Sequence, residues 1–178
     1  MQSKKTKLIV LIGAPGSGKS TWAKSHFSSF EAPVTYVSRD EIRFSLVKEN
    51  EEYFSKEKEV FRTYIDKIKN GIQLGGTVIA DATHLNPNSR AKLFRAIGKN
   101  ISDCEVQALV MTASLKKAIN QNELRKDTKS YVPQDVIKRM YASFEKPTLD
   151  EGFNKIYFYY PDSVTKYIIY EEKESEAR

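Results

Sequence analysis

Three short stretches and one loop carry residues whose types and spacing could do chemistry. Gly13-Ala-Pro-Gly-Ser-Gly-Lys19-Ser20 matches G-x-x-x-x-G-K-[ST] in full. Glycines in that pattern let backbone N–H groups turn inward as an anion nest, and the following helix adds partial positive charge at its N-terminus. A lysine so placed reaches the β- and γ-phosphates, and the hydroxyl after it ligands Mg²⁺. Gly13, Ala14, Pro15, Gly16, Ser17, Gly18, Lys19, Ser20 and Thr21 are therefore expected to hold a nucleoside triphosphate such as ATP, with Ser20 on the metal.

The second stretch, Ser38-Arg-Asp-Glu-Ile-Arg43, sets an acid between two arginines. Asp40 is placed to accept a hydrogen bond from an attacking hydroxyl, as the aspartate of a kinase catalytic loop does. Arg43, one helical turn on, would hold a phosphate of the acceptor. The competing reading is local: Ser38 and Glu41 as a capping box, with Asp40 a first-turn acid favoured by the helix dipole. The third stretch, VIADATHLNPNSR, ends a buried strand on Asp81. An acid there serves a metal, as in a Walker B strand, or positions Arg43 or the acceptor; the residues leave both open. Asn86 or Asn88 is expected to cap the next helix, and His84 to sit in the loop without ligating a metal. The loop QNELRKDTKSYVP, about residues 121–133, is polar and basic, as expected of a lid over a triphosphate. Arg125 is its candidate for neutralising charge on the transferred phosphoryl group. The alternative is a solvated basic helix end.

The elements that must position these residues follow from periodicity and breakers. Short apolar runs predict strands at Lys7–Ile12, Val34–Ser38, Thr77–Ala80 and Glu105–Met111, with two more in KIYFYY and KYIIYEE. Helices are expected over Lys19–Phe30, from Ser38, over Glu51–Leu74, Asn88–Asn100, Ser114–Lys126 and Val132–Glu145. In the Glu51–Leu74 helix, Phe61, Tyr64, Ile65, Ile68 and Ile72 recur on one face, and Gly75-Gly76 ends it. Alternating strands and helices predict an α/β fold with a mostly parallel central sheet flanked by helices. Ligands in such sheets bind beyond the carboxyl ends of the strands, and Gly13, Asp40 and Asp81 all fall there.

The chain has 178 residues, which predicts one domain over 1–178 with one substantial core. A net charge of +6 leans toward a polyanionic partner, nucleic acid above all. One cysteine, Cys104, excludes an internal disulfide and a cysteine zinc cluster. No apolar run approaches the roughly 20 residues of a membrane span, and MQSKKTK lacks the apolar core of a secretion signal. No membrane role and a cytoplasmic location are expected, with EEKESEAR a solvated end.

With these residues in view, the chain resembles the kinase domain of polynucleotide 5′-hydroxyl kinases. The resemblance runs through GAPGSGKSTWAK, SRDEIR, VIADATHLNPNSR, the basic lid with VPQDVIKRM, and FEKPTLDEGFNKI, Phe144 to Ile156. It implies a P-loop kinase fold, ATP and Mg²⁺ held by Lys19 and Ser20, and Asp40 as general base. It further implies Arg43 on a phosphate, Asp81 with Thr83 on the acceptor side, and Arg125 as the lid arginine, so that Asp40, Lys19 and Arg125 form the catalytic set. One departure stands out: Gln121-Asn122 occupies a place where the family often carries arginine. The expected activity is transfer of the γ-phosphoryl group of ATP to 5′-hydroxyl ends of DNA or RNA. Two alternatives remain open: a kinase of a small hydroxylated molecule such as a nucleoside, sugar or antibiotic, and an ATP-binding switch with no acceptor. The aromatic C-terminal strands would close the sheet or join copies into a homo-oligomer.

Overall fold

The computed structural model describes residues 5–30 and 33–172. The solvated end expected at the C-terminus lies, from residue 173 on, outside the described residues, as does the start of MQSKKTK.

Six strands form one sheet: β1 (Thr6–Ile12), β2 (Val34–Ser38), β3 (Thr77–Asp81), β4 (Cys104–Met111), β5 (Lys155–Tyr159) and β6 (Tyr167–Glu172). Their order is β2-β3-β1-β4-β5-β6. The first five are parallel, and β6 pairs antiparallel with β5. The mostly parallel α/β sheet is therefore as expected, and the C-terminal strands extend it within the chain. At the β6 edge, Tyr167, Ile168 and Ile169 remain exposed.

The central strands are apolar at consecutive positions because helices cover both faces of the sheet. On one face Leu8, Val10, Ile12, Val78, Ala80 and Val106 pack with α3 (Glu57–Leu74) and α4 (Pro87–Ile97). On the other, Ile9, Leu11, Ile79 and Leu109 pack with Trp22 and Ala23 of α1 (Lys19–His26). The stripe read from the sequence is the buried face of α3: Tyr64, Ile65, Ile68 and Ile72 are buried, together with Val60. Cys104 is buried, and burial pushes its thiol up to about 11.

Several helix boundaries differ from the sequence expectation; α4 ends at Ile97, three residues before Asn100. α1 stops at His26 and tightens into a 3₁₀ turn at Phe27–Ser29. α3 begins at Glu57 rather than Glu51, because Glu51–Lys56 is taken up by turns, with Ser55 N–H on the Glu52 carbonyl at 2.9 Å. α5 (Leu115–Glu123) ends three residues before Lys126, and α6 (Gln134–Ala142) begins after Pro133, its N-cap. α2 (Arg39–Leu46) starts directly from β2. Its cap Ser38 accepts from the Glu41 N–H at 3.3 Å.

Candidate active site

The carboxyl ends of β1, β2 and β3 bring the three stretches together. Register puts Asp81 beside Leu11 of β1 and Ser38 of β2. The phosphate loop thus leaves β1 next to Asp81, and α2 leaves β2 on the other side of it.

In the loop, Gly16 and Gly18 have φ of 78° and 95°, conformations that glycine alone adopts without strain. A Cβ on Gly16 would run into the Ala118 carbonyl oxygen of α5, so backbone passes close there. Lys19 Nζ donates to the Gly13 and Ala14 carbonyls at 2.8 and 3.0 Å. Ser17 Oγ is buried with no hydrogen-bond partner among the described residues. Positive-φ glycines, an orphaned hydroxyl and a lysine at the mouth fit a polyphosphate. Burial pulls the Lys19 ammonium below its ordinary range; the charges of Asp81 and Asp40 pull it back, and that of Arg125 pushes it further down. Lys19 therefore lies in the fields of all three residues, which come from β3, α2 and the lid.

Asp81 is buried and doubly held. Ser20 Oγ donates to its Oδ2 at 2.7 Å, and the Tyr36 hydroxyl donates to the same oxygen at 2.6 Å. Burial, then the Asp81 charge, raises the Tyr36 phenol far above its ordinary range, so it stays a donor. The Ser20 hydroxyl and an Asp81 carboxylate oxygen lie side by side, a donor set of the kind that suits a hard cation whose other ligands are phosphate oxygens and water. Among the described residues no group of three or more His, Cys, Asp or Glu is placed to hold a metal by itself.

Asp40 keeps its side chain 67% exposed while Arg43 Nη1 donates to its Oδ1 at 2.6 Å. The Tyr53 hydroxyl donates to the same oxygen at 3.4 Å and accepts from Arg43 Nη1 at 3.2 Å. Arg43 is only 6% exposed. Its Nη2 donates to Glu57 at 2.8 Å, and Glu57 also pairs with Arg39. Burial lowers the Arg43 guanidinium and Glu57, Tyr53 and Asp40 more than offset it, leaving the cation net stabilised. Both terminal nitrogens of Arg43 are thus committed to carboxylates. Its Nε is buried with no hydrogen-bond partner among the described residues.

The loop after β3 is fastened to the phosphate loop. Gly13 N–H donates to the Thr83 carbonyl at 3.0 Å. His84, with φ of 45°, is buried, and its Nδ1 lies 2.9 Å from the Leu11 carbonyl. Burial, first, and the cations Arg39, Lys19 and Arg90 lower His84 to about 4; it is a neutral structural imidazole. Asn86 caps α4 in a capping box with Ser89. Arg90, fully buried, holds Glu151 through Nε and Nη2 at 2.6 and 2.9 Å. Its Nη1 donates to the His84 and Glu145 carbonyls at 3.0 and 3.1 Å.

Asn122 closes the base of the 121–133 loop: its side chain donates to the Val132 carbonyl at 2.7 Å and accepts the Val132 N–H at 3.0 Å. Arg125 lies in the turns after α5, and Lys129 reaches across to Glu49 at 3.5 Å. Thr21 is exposed on the first turn of α1. Sequence reading missed Tyr36, Tyr53, Glu57 and Asn122. Tyr36 had a findable signal: it shares a strand face with Ser38, which pairs with Asp81. Tyr53 and Glu57 had none, because their partners come from another element.

A family model described as an AAA domain matches residues 8–147. The chain is 25% identical over 160 residues to the transcription factor bHLH140 of Arabidopsis thaliana, covering 88% of this chain and 16% of that protein. It is 29% identical over 153 residues to the putative bifunctional polynucleotide kinase/RNA ligase of Autographa californica nuclear polyhedrosis virus, covering 79% and 21%. It therefore spans no more than 21% of the length of either relative. Among solved structures, the Pnkp1/Rnl/Hen1 RNA repair complex contains a chain that superposes with a TM-score of 0.63 at 21% identity, covering 98% of this chain and 51% of that one. A gluconokinase from Sinorhizobium meliloti 1021 superposes at 0.51 with 16% identity, covering 82% and 78%. These likenesses extend the fold, and the matched family covers the nest, α2, β3 and the lid together. The chain belongs to the family described as an AAA domain.

Proposed function

We propose that the chain transfers the γ-phosphoryl group of ATP to the 5′-hydroxyl end of DNA or RNA. The observation that carries the reading is Asp40: a solvent-facing carboxylate, pinned by Arg43 and Tyr53, within the electrostatic reach of Lys19. A hydroxyl oxygen attacking the γ-phosphorus would hand its proton to Asp40 as the bond to the β-phosphate oxygen breaks and ADP leaves. Lys19 and Arg125 offset charge on the transferred group. Ser20, with Asp81 beside it, would hold Mg²⁺, which when bound would supply neutralisation of phosphate charge. Arg43 acts by aiming Asp40. The net charge of +6 and the named activity of the viral relative support a polynucleotide acceptor.

A second reading, a kinase of a small hydroxylated metabolite, is favoured by one observation. Each terminal nitrogen of Arg43 already donates to a carboxylate, and the fold is shared with a gluconokinase. The test is incubation with γ-labelled ATP, Mg²⁺ and a panel of 5′-hydroxyl DNA, 5′-hydroxyl RNA, nucleosides and sugars. Label on an oligonucleotide 5′ end, with affinity that falls as salt rises, is the expected result. Label on a neutral small molecule, indifferent to salt, refutes the reading. Asp40→Asn keeps ATP binding and loses about 10²-fold or more in turnover; full turnover would remove Asp40 from the mechanism.

A further inference from the structure

Tyr53 and Phe54 stand out on the acceptor side of Asp40. They are 39% and 67% exposed, although a large apolar side chain gains by leaving water. The two rings meet edge to face, centroids 4.8 Å apart at 90°. That geometry puts the edge of one ring on the face of the other and keeps the exposed Phe54 ring turned to solvent. The pair is not loose. The Arg43 guanidinium lies 4.7 Å from the Tyr53 ring centre and 5.5 Å from that of Phe54. The Tyr53 hydroxyl bonds Asp40 and Arg43. The supporting turn is braced by Lys56, which donates to the Leu46 carbonyl at 2.7 Å and pairs with Glu51 at 3.1 Å.

We propose that Tyr53 and Phe54 form a stacking platform for a base of a single-stranded acceptor, setting the terminal hydroxyl over Asp40; this rests on the polynucleotide reading above. An aromatic face takes any base and asks for an unpaired one. The charges nearby agree. Glu49, Glu51 and Glu52 in the same turn disfavour phosphates at the platform, while Lys129 of the lid reaches Glu49 from across the cleft. The base lies on the aromatic side and the backbone runs along the lid.

The experiment uses the full chain and two probes, a short 5′-hydroxyl single-stranded oligonucleotide and its counterpart with abasic sugars at the two 5′-terminal positions. Binding is read by fluorescence anisotropy and transfer by label from ATP. Phe54→Ala raises Kd and KM for the oligonucleotide roughly five- to hundredfold, the range for losing one base–aromatic stack, with KM for ATP holding. Phe54→Trp restores both. The abasic probe binds wild type as weakly as the intact probe binds Phe54→Ala, and the variant shows no further loss on it. Oligonucleotide affinity within twofold of wild type in Phe54→Ala, or an abasic penalty that persists in the variant, overturns the platform and leaves the kinase reading standing. Binding without label transfer by wild type overturns the kinase reading while the variant's binding still judges the platform. Absence of any oligonucleotide binding overturns both.

Discussion

Arg90 offers the sharpest test of how the site is held. It is fully buried, and its guanidinium makes four hydrogen bonds, two to Glu151 and one each to the His84 and Glu145 carbonyls. Arg90→Leu leaves a Glu151 side chain 16% exposed with no cation, and two carbonyls without their donor. Breaking a buried pair from one side costs about 3–5 kcal/mol, and the orphaned carbonyls push toward the upper figure. For a domain of this size each kcal/mol is about 2–4 °C, so the melting point falls by roughly 6–20 °C. Arg90→Leu with Glu151→Leu recovers part of the loss, since it removes both charges, and the cycle shows a coupling of at least about 1.5 kcal/mol. Urea unfolding of the four proteins measures this. Nucleotide affinity falls as well, because Arg90 holds His84, the neighbour of Thr83, whose carbonyl fixes Gly13. A loss under about 1 kcal/mol in Arg90→Leu, or additive single variants, would refute the reasoning.

Two other perturbations separate causes in the same region. Gly16→Ala and Gly18→Ala each add about 1–2 kcal/mol of left-handed strain, but only the first drives a methyl into backbone, at the Ala118 carbonyl; the second meets nothing nearer than Met111 Cε at 3.8 Å. Gly16→Ala therefore loses at least tenfold more ATP affinity by titration, and equal losses would count against a close loop–α5 contact. His84 is lowered from 6.5 to about 4, so the unfolded chain binds its proton first as pH falls. Stability from this group is full above 6.5 and drains as pH drops toward 4, amounting to about 2 kcal/mol between pH 7.5 and pH 5. His84→Asn, a residue tolerant of that backbone, should lose less over that interval, and an identical acid slope would show that His84 is not the proton-linked group.

What was legible in the chain was local. The glycine spacing, the apolar runs and the stripe from Phe61 to Ile72 are each set within a few turns, and each element formed near its expected place. The Asp40–Arg43 pair had a local signal, since residues three apart on a helix share a face, but the two were read as separate contacts to the acceptor. What closes the site is not local. Asp81 meets Ser20 across 61 positions and Tyr36 across 45, contacts fixed by strand order and register. Glu57 as a partner of Arg43 was not legible, because it belongs to the next helix. Arg90 carried a clue: it lies at i, i+3 and i+7 with Leu93 and Ile97, all three buried on one face of α4. A charge on an apolar stripe demands an internal counter-charge, and Thr148–Glu151 supplies it from a capping box. That pairing changes what the Phe144–Ile156 segment means. Its likeness to repair-kinase modules is accounted for by a clamp that steadies the phosphate loop through His84 and Thr83. A clamp of that kind would serve any acceptor. The segment therefore argues for the scaffold, and the choice between a polynucleotide and a small hydroxylated molecule falls to Asp40 and the aromatic pair beside it.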